Sequence, residues 1–262
     1  MRVGGCLVAL LVLCPGAAAA QPSAPDATAG DRGVTFLSRF AFHLAAQHLS
    51  GDDERYVWDA DYGGELDLVD VGAGRATFYA NYQVVLGEEF HAFDPNQGNY
   101  VLGGRASIRV HGWEGAFVFH HLSRHLADRF KRVPVDWNMV GGRVVRSFEI
   151  GSAAFEGRAD VRGVVLKSFV DYDWEVDAGI RGRYPLASRV ALVSDVAVRR
   201  VWVDGSRNRG AQQGARGELG LRLDGGAAAV ELFVAAERRI DAHPLVFGTE
   251  QWVTAGFRLV NR

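Results

Sequence analysis

The chain has 262 residues, a formal net charge of −2, 48% hydrophobic residues and 32 glycines. Its near-neutral balance excludes a polybasic nucleic-acid binder, and no nucleic-acid partner is expected. The two cysteines, Cys6 and Cys14, both lie near the start, which leaves the rest of the chain without disulfides or thiolate metal sites.

Residues 1–20 read as a secretory signal peptide. Arg2 precedes an apolar run from Leu7 to Leu13, and Ala18-Ala19-Ala20 offers a cleavage site before Gln21. Residues 21–33, rich in Pro, Ala, Ser, Asp and Gly, read as a disordered lead-in. From 34 to 262 the chain reads as one domain, and no segment there is long and apolar enough for a transmembrane helix.

Within that domain apolar and polar residues alternate at period two. The alternation predicts about twelve strands of barrel-spanning length, over 34–46, 54–71, 75–86, 98–111, 115–123, 136–150, 154–167, 171–184, 188–203, 213–224, 226–238 and 249–261. Phe78, Ala80, Tyr82, Val84 and Leu86 share one face of the third, opposite Arg75, Thr77, Tyr79, Asn81 and Gln83. Over 171–184, Tyr172, Trp174, Val176, Ala178, Ile180 and Tyr184 oppose Asp171, Asp173, Glu175, Asp177, Arg181 and Arg183. Over 226–238, Val230, Leu232, Val234 and Ala236 oppose Glu231, Glu237 and Arg239.

A soluble exported sandwich would show the same alternation, but not these connections. Those at 72–74, 112–114, 151–153, 185–187 and 225 are tight. Those at 47–53, 87–97, 124–135, 204–212 and 239–248 are long and polar, with Asp94-Pro95-Asn96-Gln97-Gly98 reading as a turn, and at that end only the one near 168–170 is short. Short turns at one end and long loops at the other mark an all-β, transmembrane, antiparallel up-and-down barrel in a cell outer membrane. Membrane lipid and the barrel-assembly machinery are then its expected partners, with a homodimer left open. Rows such as Glu156, Arg158, Asp160 and Arg162 should pair across the lumen and close it.

Chemistry concentrates on the fifth strand, where Phe117, Phe119, His121, Ser123 and His125 share a face. If that face meets lipid, the His/Ser end reaches the extracellular rim. Asn138, at the start of the next strand, then lands beside His121 or Ser123 as a group that can orient an imidazole. If Ala116, Val118 and Leu122 form the lipid row instead, His121 and Ser123 are lumen residues bonded to polar neighbours. Asp171, Asp173, Glu175 and Asp177 lack the glycine and spacing of a calcium loop and read as a strand face.

His121-x-Ser123 rising to a loop, followed by Trp137-Asn138, resembles the outer-membrane phospholipase A family. The resemblance implies a twelve-stranded barrel hydrolysing membrane phospholipid at a lipid-facing Ser-His-Asn site, with Ser123 as nucleophile, His121 as base and Asn138 orienting it. It also implies calcium at the oxyanion site. Arg124-His125-Leu126 follows the serine where that family has Asn-Gly-Arg, so Asp128 or Asp136 would have to serve a calcium ion here. His121, Ser123, His125, Leu126 and Asp128 are similar to a His-x-Ser-x-His-Leu-x-Asp segment of an uncharacterised bacterial family, and lipid A deacylases show a similar His-x-Ser pair. The alternative function is a non-enzymatic outer-membrane barrel, structural or narrowly transporting.

Overall fold

The structure is a computed structural model that describes residues 33–130 and 133–261. The signal-peptide reading, and the lead-in apart from Gly33, lie outside the described residues. Twelve antiparallel strands form one closed barrel. They are β1 (Thr35–Leu49), β2 (Trp58–Asp70), β3 (Gly74–Gly87), β4 (Asp94–Val110), β5 (Trp113–Leu126), β6 (Asp136–Ile150), β7 (Ala153–Ser168), β8 (Tyr172–Ala187), β9 (Val190–Val203), β10 (Gln212–Asp224), β11 (Ala228–Ile240) and β12 (Thr249–Asn261).

Every strand pairs with its sequence neighbours, and β1 closes on β12 through His43↔Val260 to Leu49↔Thr254. Over 43–49 and 254–260 this seam pairs the backbone groups that would otherwise meet hydrocarbon. At its end the side-chain amide of Asn261 extends the ladder: Phe42 N–H donates to Asn261 Oδ1, and Asn261 Nδ2 donates to the Phe40 carbonyl, each at 2.6 Å.

Alternation then decides which side chains meet which medium. Phe78, Ile180, Leu232 and Val234 stand on the outer surface, while Glu231, Asp67 and Glu175 are buried in the lumen. Aromatic side chains ring both ends of the outer wall, with Tyr62, Tyr100, Trp174 and Trp202 towards the long loops and Trp113 and Tyr184 towards the short turns. Arg146, the cation on the apolar face of β6, lies over the Trp113 ring at 4.7 Å.

The lumen is filled by ion pairs, as the mixed charges predict. Glu231 bonds Arg181 at 2.7 Å, Arg258 at 2.9 Å and Arg222 at 3.1 Å. The chain of pairs continues from Arg258 to Glu218, Arg216, Glu237, Arg239 and Asp59. Each charge is desolvated but has a partner, so the network is satisfied within itself. A cavity of about 180 Å³ remains in the half towards the long loops, with Asn81, Gln83, Asn99, Leu122, Arg124 and Trp137 on its wall.

Three expectations need correction. Tyr172 does not share the outer face with Trp174, because an irregularity between Tyr172 and Trp174 breaks the register against β9. The break turns Tyr172 into the lumen, where it packs on Trp137, Met139 and Val201. The segment Asp94–Gly98 is not a turn but the start of β4. Arg129 on Asp94 at 2.6 Å and an Asn96 amide donating to the Arg55 carbonyl at 3.1 Å hold it extended. Finally, β5 runs on to Leu126, so the long loop after it begins at residue 127.

Candidate active site

The outer face of β5 is the one that carries His121 and Ser123. Phe117 is 61% and Phe119 43% exposed, whereas Val118 is 2% exposed in the lumen. Strict alternation then places His121, Ser123 and His125 outside with the phenylalanines, and His120, Leu122 and Arg124 inside. His120 bonds Tyr79 Oη through Nδ1 at 3.0 Å, and Leu122 and Arg124 line the lumen cavity. The lumen-facing alternative for His121 and Ser123 is therefore not the one observed.

Strand pairing assembles the rest. His121 lies directly across from Asn138, and Ser123 from Asp136. The His121 ring donates through Nδ1–H to Asn138 Oδ1 at 2.9 Å. That bond leaves Nε2 as the basic nitrogen. Ser123 Oγ bonds the Nε2 of His125 at 2.7 Å, not His121. The motif thus brings His121 to Asn138, while the serine turns to the imidazole two residues further out.

That Asn138 would pair beside this segment was legible in the sequence, but the face it occupies and its surroundings were not. A row of outward residues runs across four strands to the serine: Tyr62↔Tyr82, Tyr82↔Tyr100 and Tyr100↔Ser123. Their rings touch, at 5.4 Å for Tyr62–Tyr82 and 4.5 Å for Tyr82–Tyr100, and Tyr100 meets His125 edge-on at 5.4 Å. Gly98, opposite His125, makes room for this platform; a Cβ there would lie 2.5 Å from Tyr82 Oη. Ser123 consequently sits in the aromatic girdle, where headgroups give way to acyl chains.

On the inner side of the wall the loops cap the lumen. Asp241 accepts from Tyr172 Oη at 2.6 Å and from both terminal nitrogens of Arg209 at 2.8 Å, while Arg124 holds the Asp241 and Ala242 carbonyls. In the same loop, burial and the nearby Arg55, Arg124 and Arg129 push the His243 imidazole down to about 4. Burial pushes the Tyr56 phenol up to about 12.

Calcium takes roughly six to eight oxygen ligands. Among the described residues no three His, Asp or Glu side chains converge on a common point. Asp136 stands beside the serine, with Ser168 Oγ donating to it at 3.5 Å, whereas Asp128 is exposed in the loop with a left-handed backbone (φ 50°). The two carboxylates do not make a cage between them. The acidic row of β8 is likewise spoken for: Asp171 pairs with Arg209, Asp173 with Lys167 and Asp177 with Arg199.

No family model matches the chain. No curated protein matches it either. Solved structures do. Outer membrane phospholipase A from Escherichia coli aligns over 85% of this chain and 92% of its own, with a TM-score of 0.52 and 12% identity. The calcium-bound dimer of the outer membrane phospholipase from Salmonella typhi aligns over 85% and 90%, with a TM-score of 0.53 and 10% identity. An outer-membrane channel from Pseudomonas putida F1 aligns over 92% and 99%, with a TM-score of 0.54 and 11% identity. The chain is an outer-membrane β-barrel. At these identities the likeness carries the fold alone, and the chemistry has to be argued from the site.

Proposed function

We propose that this barrel is an acyl-ester hydrolase acting on membrane phospholipid at its extracellular rim. The observation that carries the reading is the His121–Asn138 hydrogen bond of 2.9 Å on the lipid-facing wall, two residues along β5 from Ser123. An imidazole held by an amide close to a serine stands out on a surface otherwise given to Phe117, Phe119 and the tyrosine row, and this supports the reading. In the scheme implied by the phospholipase A resemblance, the Ser123 hydroxyl attacks the ester carbonyl carbon while an imidazole takes its proton. The departing alcohol recovers that proton, and water then releases the fatty acid.

The test is fatty-acid release from mixed phospholipid–detergent micelles by the purified, folded barrel. Calcium and a chelator form separate arms, because one of the similar phospholipases is a calcium-bound dimer. The oligomeric state is read in the same preparations. Release that disappears in Ser123→Ala supports the reading; a folded wild-type barrel that releases nothing in either arm refutes it.

A further inference from the structure

Ser123 has an imidazole on each side along its strand. His121 lies one outward position towards the bilayer core, and His125 one outward position towards water. The motif resemblance would give the base role to His121. We propose instead that His125 is the base that takes the Ser123 proton, and that His121 with Asn138 positions the ester. This inference rests on the hydrolase reading.

Three observations carry it. First, the 2.7 Å contact of Ser123 is with His125 Nε2, a normal length for an O–H···N hydrogen bond. Second, the Nδ1 of His121 is committed to Asn138, and its Nε2 makes no hydrogen bond to the serine among the described residues. Third, His125 is exposed at the aqueous edge of the girdle, and its ring rests edge-on against Tyr100 at an interplanar angle of 82°. A base placed there exchanges protons with water. The half-buried His121 lies on the Phe117–Phe119 side, where the acyl chain of a bound lipid would run.

The chemistry balances without an added reactant. The Ser123 Oγ–acyl carbon bond forms, the carbonyl π pair moves to oxygen, and the hydroxyl proton passes to His125 Nε2. As the tetrahedral species collapses, the ester C–O bond breaks and the leaving alkoxide takes that proton back. A fluorophosphonate probe reports the same first step: the Oγ–P bond forms, fluoride leaves, and the proton goes to the base.

The experiment compares fluorophosphonate labelling rates in wild type, Ser123→Ala, His121→Ala and His125→Ala, with heat-dependent gel mobility as the folding check. Loss of the base should slow labelling of His125→Ala about 100-fold or more, and added imidazole should restore part of it. His121→Ala should lose less than about 10-fold in labelling and show a raised KM for phospholipid. His125→Gln, which keeps bulk and polarity but has no base, replaces the alanine variant if that one fails to fold. The assignment is overturned if His121→Ala labels as poorly as Ser123→Ala, or if the His125 variants label at the wild-type rate. An unlabelled wild type, or labelling that persists in Ser123→Ala, strikes instead at the hydrolase reading.

Discussion

Removing Glu231 should be among the most damaging single changes the barrel wall can suffer. The side chain is 0% exposed and sits among three guanidinium groups: Arg181 at 2.7 Å, Arg258 at 2.9 Å and Arg222 at 3.1 Å. Two of the three keep other partners when it goes, Arg258 on Glu218 at 2.9 Å and Arg222 on Asp224 at 2.8 Å. Arg181 loses both of its hydrogen bonds to a carboxylate and keeps only its cross-strand neighbours Glu156 and Asp195, beside two other cations. Breaking such a pair from one side costs about 3–5 kcal/mol. A loss of about 4 kcal/mol lowers the folding constant roughly a thousandfold. Guanidinium titration of tryptophan fluorescence in detergent micelles should therefore give Glu231→Ala a midpoint well below wild type, at an unchanged slope. The double variant Glu231→Leu/Arg181→Leu should recover much of the loss, because the stranded charge is gone and apolar groups fill its space. A cost below about 1 kcal/mol, or a double variant no better than the single, would refute the account of the lumen as a network in which each charge depends on its partner.

Two further outcomes concern the loop that caps the lumen. Asp241→Asn should release loop 241–248, because it weakens the bonds from Arg209 and Tyr172 that hold the loop against the wall; in planar bilayers the wild-type barrel is expected to show no steady conductance and the variant brief openings, and identical records together with unaltered hydrogen exchange would rule the latch out. The same loop should loosen in acid. His243 titrates at about 4 when packed against an ordinary 6.5, so below about 6.5 the opened loop takes up a proton that the closed loop refuses, and closure weakens progressively down to about 4. The protonated ring also loses its acceptor for Leu245 N–H, now at 3.1 Å. Hydrogen exchange at 241–248 measured at pH 7 and pH 4.5 should show the difference, and His243→Gln should remove it.

The strands were legible because hydrocarbon outside and paired charges inside punish any side chain on the wrong face. That constraint lapses where the wall leaves the membrane. Asp94–Gly98 has a turn's composition yet extends β4, since Asp94 and Asn96 find partners on the neighbouring loops that composition cannot reveal. Tyr172 was misplaced for a related reason. One irregularity shifts the phase of everything before it, and Tyr172 then exchanges the lipid surface for Trp137 and a bond to Asp241. A period-two pattern carries no mark of the residue at which it slips.

The site shows the same boundary at finer scale. That Asn138 would meet His121 or Ser123 follows from pairing two strands about a loop, and the register chose His121. The choice between the two imidazoles flanking Ser123 is of another kind. Both lie two positions away on the same face, so spacing treats them alike, and only side-chain rotamers separate them. The Asn138 carbonyl oxygen turns the His121 ring by claiming Nδ1, and the Tyr100 edge supports the His125 ring beside the hydroxyl. Those two neighbours come from β6 and β4, on opposite flanks of β5, so the identity of the serine's partner is set by cross-strand register rather than by the motif that first drew attention to it. A motif carried over residue by residue transfers the strand and the face, and the partner of each side chain has to be read from what the adjoining strands place against each ring.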